Sequence, residues 1–242
     1  MASAVYGASQ TGKTLLNLRE MLLRGDFQPG ERLSELPLVA ALGVSRTPIR
    51  LALDRLANEG LLETSPTGGF VVREFTVADI WDAIEMRGVL EGTAARLAAE
   101  RLSDPSELAA ARGVQSEMDL SSPPNVETFP RYLDLNESFH SAIVELAKSR
   151  MLRRTLDRVL ALPFASPSAL VFVRMKLPQA VEIVAIGQEH HHAILESIAN
   201  RQGTRAESVA REHARLSRRN LEVALANRDF LDHVPGASLI RS

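Results

Sequence analysis

The pattern of apolar and polar positions changes near residue 75. Before it the periods are short. Leu15 to Leu23 has helical spacing, GDFQPG at Gly25–Gly30 is a turn, and Ser34 to Leu42 is a second short helix with Ser34 as its cap and Pro37 in its first turn. Leu42 to Leu62, LGVSRTPIRLALDRLANEGLL, gives a tight turn at Gly43, an N-cap at Ser45 and a helix with the apolar stripe Ile49, Leu53, Leu56 and Gly60, flanked by Ala52 and Ala57. Arg46, Thr47 and Arg50 lie at its N-terminal end, off that stripe. ETSPTGGFVVRE then sets two extended runs around Pro66, Gly68 and Gly69, a hairpin signature. Three short helices and a hairpin predict a winged helix-turn-helix. A helix with its basic end free and its other face buried suits the major groove of DNA.

From Thr76 onward the periods lengthen. Helices are predicted over Thr76–Leu102, from Asp104-Pro105 to a break at Ser121–Pro124, over Val126–Ala147, Met151–Leu162, Gln179–Asn200 and Thr204–Asn227, with a weak segment at Ser166–Leu177. The fold class is mainly α: an N-terminal winged helix-turn-helix and a C-terminal all-α bundle of six or seven helices. The expected divisions are a flexible tail at 1–12, the DNA-binding domain at 13–75, an effector-binding domain at 76–228 and a loosely packed tail at 229–242.

Three of the long helices carry a histidine in the middle of the apolar face. The stripes are Leu133, Asn136, His140, Ile143; then Val184, Gly187, His191, Ile194; then Val209, Ala210, His213, Leu216. Burying three imidazoles without partners is costly. A shared metal satisfies all three, with Asn136, one turn before His140, adding an oxygen. The competing reading is three separate hydrogen-bonded core histidines. His190 and His192 point to either side of His191, toward a solvated edge, and His233 falls in the tail. Arg87 also lies on an apolar stripe, with Ile80, Ile84 and Glu91. It needs an anion, either Glu91 one turn along or the carboxylate of a bound effector.

Composition narrows the class. The net charge is −2, and residues 1–75 hold eight basic and eight acidic side chains, so DNA contact must come from placed residues. There is no cysteine, hence no disulfide or thiolate metal site, and no run long enough for a membrane span or signal core. A cytoplasmic protein without a membrane partner is expected. Gly7–Thr14, GASQTGKT, matches the phosphate-loop pattern literally. Only MASAVY precedes it, too short and mixed for the buried strand such a loop needs, so no nucleotide partner is expected.

The string PGERLSE…LGVSRTPIR.AL.RL..EGLL…GGFVV resembles the N-terminal domain of the GntR family of bacterial transcription regulators. The resemblance implies that Ser45, Arg46, Thr47 and Arg50 touch DNA and that Gly68 or Gly69 approaches the minor groove. Leu51 departs from it, standing where the family usually has Glu. The pieces around Arg87–Glu91, Asn136–His140, His191–Leu195 and His213 resemble the FCD ligand-binding domain of the FadR-like branch. That resemblance implies a divalent metal, zinc first and nickel or manganese as alternatives, held by Asn136, His140, His191 and His213. It also implies a small organic acid effector near the metal and Arg87. Asn136 replaces the more usual Asp and brings no charge. The expected function is a homodimeric DNA-binding regulator, a repressor on a pseudo-palindromic operator, and not an enzyme. The alternative is a metal-dependent enzyme using the three histidines, for which no catalytic residue stands out.

Overall fold

The computed structural model describes residues 9–122, 124, 127–162, 164–168, 178–226 and 236–241. The chain divides into two compact units, one of residues 1–80 with 161–163 and 231–242, the other of 81–160 with 164–230.

In the first unit, α1 (Gln10–Arg24) starts at Ser9, whose hydroxyl accepts from Gly12 N, and stops at Gly25, which takes a left-handed φ of 86°. It is longer than the predicted Leu15–Leu23. Lys13 and Thr14 lie inside it, and the Thr14 hydroxyl donates to the Gln10 carbonyl. The last five residues of the phosphate-loop pattern, Gln10–Thr14, are therefore helix, and Gly7 and Ala8 lie outside the described residues. Strand β1 (Arg32–Leu33) precedes α2 (Glu35–Leu42) and α3 (Arg46–Asn58), and β2 (Leu62–Thr64) and β3 (Phe70–Val72) form the hairpin. The sheet order is β1-β3-β2, with β3 antiparallel to both neighbours. β1 is too short to show a period in sequence. Ser34 and Ser45 occupy the expected cap positions with extended backbone, but neither hydroxyl makes a cap bond.

Leu18, Leu22, Ile49, Ala52, Leu53 and Leu56 have almost no exposure and form the centre of this unit. At ~1.5–3 kcal/mol per buried aliphatic side chain, this seam between α1 and α3 sets the pose of α3. The C-terminal segment differs from the loose tail expected. A short 3-10 turn, Ala237–Leu239, buries Leu239 completely, and Phe75 and Ile240 form a parallel bridge. His233, with the rest of 227–235, lies outside the described residues.

The second unit is built by α4 (Val77–Arg101), α5 (Ala109–Leu120, preceded by a 3-10 turn at Pro105–Leu108), α6 (Phe129–Leu146), α7 (Arg150–Leu160), α8 (Pro178–Ala199) and α9 (Gly203–Ala226). These are six α-helices among the described residues, at the lower end of the number expected. Thr76 and Asp79 bond each other reciprocally at the start of α4. The core joins Ala95, Ala98, Phe139, Ile143, Ile194 and Ala210 from α4, α6, α8 and α9. Alanines and glycines let α4 lie close to α9: a Cβ on Gly92 would come 2.7 Å from Arg211 Cγ and 3.0 Å from the Glu207 carbonyl oxygen. Of the predicted weak segment Ser166–Leu177, Ser166–Ser168 are bend and turn and the remainder lies outside the described residues. No single helix among the described residues is long and apolar enough to cross a membrane.

Candidate functional site

The outward face of α3 is polar where it begins. Arg46, Thr47 and Arg50 are exposed, while Pro48 and Ile49 are buried. Among the described residues the Arg46 and Arg50 side chains make no ion pair or hydrogen bond, so both guanidiniums stand free at the start of the helix. Arg55, further along, pairs with Glu59 at 2.8 Å. The hairpin tip carries Gly68 and Gly69 with φ of 86° and 83°, a backbone only glycine adopts without strain. Arg32 reaches across from β1 and donates to the Thr67 hydroxyl at 2.8 Å and to the Gly68 carbonyl, which fixes the tip.

The second site lies among α4, α6, α8 and α9. Nε2 of His213 sits 3.2 Å from Nε2 of His191 and 3.2 Å from Nε2 of His140. One nitrogen of each ring lies within 4.8 Å of the other two. Helical spacing explains the meeting: each histidine is the polar break in an apolar stripe, so packing three stripes together brings three imidazoles to one point. His191 is wholly buried and stacks on Phe139 with 4.1 Å between ring centroids. Burial, then the neighbouring imidazoles, hold His191 and His213 well below the ordinary 6.5, so both are neutral at pH 7.

A neutral imidazole has one N–H and one lone pair. Glu91 Oε1 lies 3.1 Å from His140 Nδ1, and the Nε2 of that ring faces the cluster. Nδ1 of His191 and of His213 is buried without a hydrogen-bond partner. Burial disfavours protonation of His191 and His213, and neutral rings that turn their Nε2 lone pairs inward form a donor set for a shared cation. Tetrahedral Zn–N bonds of 2.0–2.1 Å set nitrogen atoms about 3.3 Å apart, close to the spacing observed. The donor set fits a divalent metal with room for further ligands.

Asn136 is buried one turn before His140, and its amide nitrogen donates to Ser168 Oγ at 3.2 Å. Arg87 is 1% exposed; its terminal nitrogens donate to the carbonyls of Ala165 and Ala214, both at 3.0 Å, and to Ser217 Oγ at 2.8 Å. Its Nε has no hydrogen-bond partner and lies 3.5 Å from Glu91 Oε2. The salt bridge anticipated between Arg87 and Glu91 is present. The link from Glu91 to His140 was not anticipated, because it joins two helices and no single-helix period reveals it. Burial alone would raise the Glu91 carboxyl, but His140 and Arg87 outweigh it and keep the group below its ordinary value. A small cavity beside the cluster is lined by Glu91, Phe139, His140, Ile143, Ala210 and His213. His190 approaches His213 edge-on at 5.9 Å, and His192 is half exposed with Nε2 3.0 Å from Asp119.

Residues 82–216 match the FCD domain, and residues 12–72 match bacterial regulatory proteins of the gntR family. The chain is 40% identical over 133 residues to the Nta operon transcriptional regulator of Aminobacter aminovorans, covering 55% of this chain and 61% of that protein. It is 32% identical over 142 residues to the HTH-type transcriptional regulator YdhC of Bacillus subtilis, covering 59% and 62%. The chain thus spans somewhat over half the length of these relatives. Among solved structures, McbR/YncC of E. coli superposes with a TM-score of 0.63 at 21% identity, over 91% of this chain and 99% of that one, a likeness of fold. With both family matches in the order in which the two units occur along the sequence, the chain belongs to the GntR family of bacterial regulatory proteins, in the branch that carries an FCD domain.

Proposed function

We propose that the protein is a ligand-responsive transcriptional repressor that binds a pseudo-palindromic operator as a homodimer in the cytoplasm. Ser45, Arg46, Thr47 and Arg50 enter the major groove, and Gly68 and Gly69 let the wing approach the minor groove. A divalent metal, zinc before nickel or manganese, is held by His140, His191, His213 and Asn136. A bound metal there supplies a Lewis-acidic position for a carboxylate. The observation that carries this reading is the convergence of three Nε2 atoms in the same chain as a helix start with two unpaired guanidiniums. Two relatives known as transcriptional regulators support it.

The effector is a small organic acid bound beside the metal. Arg87 acts from behind Glu91, holding the wall of the site by its bonds to Ala165, Ala214 and Ser217, and adds positive potential for the incoming anion. The chain runs from the wing directly into α4, which carries Arg87 and Glu91. Effector binding therefore acts on the helix that follows the reading head, and operator affinity changes as a coupling between two sites.

The test is a duplex-binding measurement with wild type, Arg46→Ala and Arg50→Ala, with and without chelator, across a panel of small carboxylates. Loss of sequence-selective binding in both variants and a shift of wild-type affinity by one acid, abolished by chelation, is the expected result. Unchanged DNA affinity in both variants would remove the recognition-helix assignment.

A further inference from the structure

Seven positions of α3 face solvent, and Leu51 alone among them is apolar. It is 50% exposed. Leu51 lies two residues beyond Ile49, about 200° around the helix, so it stands opposite the buried stripe rather than at its margin. Thr47, one turn earlier, shares this outward line, and Arg46 and Arg50 lie together on one side of it, about 100–140° around the helix. A leucine on an exposed polar face leaves half of its surface to solvent, where a polar residue would serve the fold as well.

We propose that Leu51 is a specificity-determining residue, packing its side chain on the 5-methyl group of a thymine in the major groove. The inference rests on the reading of α3 as the recognition helix. Charge complementarity favours DNA as the occupant. Arg46 and Arg50 make no ion pair among the described residues and lie on one side of the leucine, as the major groove presents phosphates at its edges with thymine methyls on its floor. An apolar surface of another protein would have to supply carboxylates on the same side to serve both guanidiniums. Leu51 lies about 6 Å beyond Thr47 along the helix. At roughly 3.4 Å per base-pair step, the thymine lies within about two base pairs of the base facing Thr47, inside one half-site.

The test uses the full-length protein. An operator is selected from randomised duplexes with the wild type, and each thymine is then replaced singly by deoxyuridine, which removes the methyl and keeps the base pair. The expected result is one thymine per half-site at which uracil weakens wild-type binding about fourfold, the worth of one buried methyl. Leu51→Ala binds the parent duplex more weakly by a similar factor and loses nothing further at that thymine. Leu51→Met, which keeps an apolar chain, retains the uracil penalty. A penalty of the same size in wild type and Leu51→Ala overturns the proposal, as does the absence of any uracil-sensitive thymine. A Leu51→Ala variant that changes oligomeric state without DNA, while its uracil response stays that of wild type, assigns the leucine to a protein contact instead. If no sequence is selected and Arg46→Ala binds random duplexes as wild type does, the reading of α3 fails rather than the role of Leu51 alone.

Discussion

Glu91 on α4 places its Oε1 3.1 Å from Nδ1 of His140 on α6. This contact backs His140 with a carboxylate, the negative charge that Asn136 does not bring to the cluster. Glu91→Gln should weaken divalent-metal affinity by about 10- to 100-fold, the usual cost of losing a partner behind a metal-ligating histidine. Competition with a chromophoric chelator reads it directly. An affinity equal to wild type would confine Glu91 to the neutralisation of Arg87.

Asn136→Asp should act in the opposite direction. A carboxylate one turn before His140 adds a charged oxygen on the side where the amide oxygen now lies. Metal retention through dialysis, followed by elemental analysis, should rise relative to wild type. His191→Ala with His213→Ala should retain none. Equal metal content in all three proteins would mean that the ligands lie elsewhere.

The metal-free protein should be acid-sensitive at mild pH. Burial and neighbouring imidazoles depress His191 and His213 below 6.5 in the folded state. Below that value the unfolded chain binds protons that the folded chain refuses, so stability falls as pH drops below about 6.5. Melting temperatures with chelator between pH 8 and pH 5 should decline on the acid side, and His213→Phe should flatten the decline. A melting temperature independent of pH across that window would contradict neutral burial.

Arg50→Ala should cost roughly 1–3 kcal/mol of operator binding if the side chain reads a base. If it contacts phosphate instead, the loss should be uniform across sequences, and the slope of log affinity against log salt should fall by about 1. Titrations on operator and random duplexes at two salt concentrations separate the two.

Two glycines in helices should respond with opposite signs. Gly113 has nothing within 4 Å of an added Cβ, so Gly113→Ala should stabilise by up to about 1 kcal/mol through helix propensity alone. At Gly92 the Cβ meets Arg211 and the Glu207 carbonyl oxygen at 2.7 and 3.0 Å, and overpacking of about 1–3 kcal/mol exceeds that gain. Thermal melts of both variants check the pair, and stabilisation at Gly92 would show that α9 gives way freely.

The histidine cluster was legible because each ring interrupts a long 3.6-residue period, and a period survives in sequence. The reading helix was legible because Gly43, Ser45 and the stripe from Ile49 to Leu56 fix its start and its buried side. Contacts between helices were not legible. Glu91 with His140, and Arg87 with Ser217, depend on the distance between elements, which no spacing along the chain encodes. β1 is two residues long and Leu239 is a single anchor, both below the length at which a pattern exists.

Leu239 is completely buried in the first unit, and Arg241 N bonds the Phe75 carbonyl at 2.8 Å. These residues leave the ribosome after the entire helical unit has been made. A unit that emerges ahead of the helical one is therefore completed after it, with an open seat waiting for Leu239 while some 150 residues are translated (on the order of ten seconds or more). A fragment ending after α9 would carry a complete set of histidines and an unfinished reading head, so metal binding and DNA binding would part company in translation products cut short at that point.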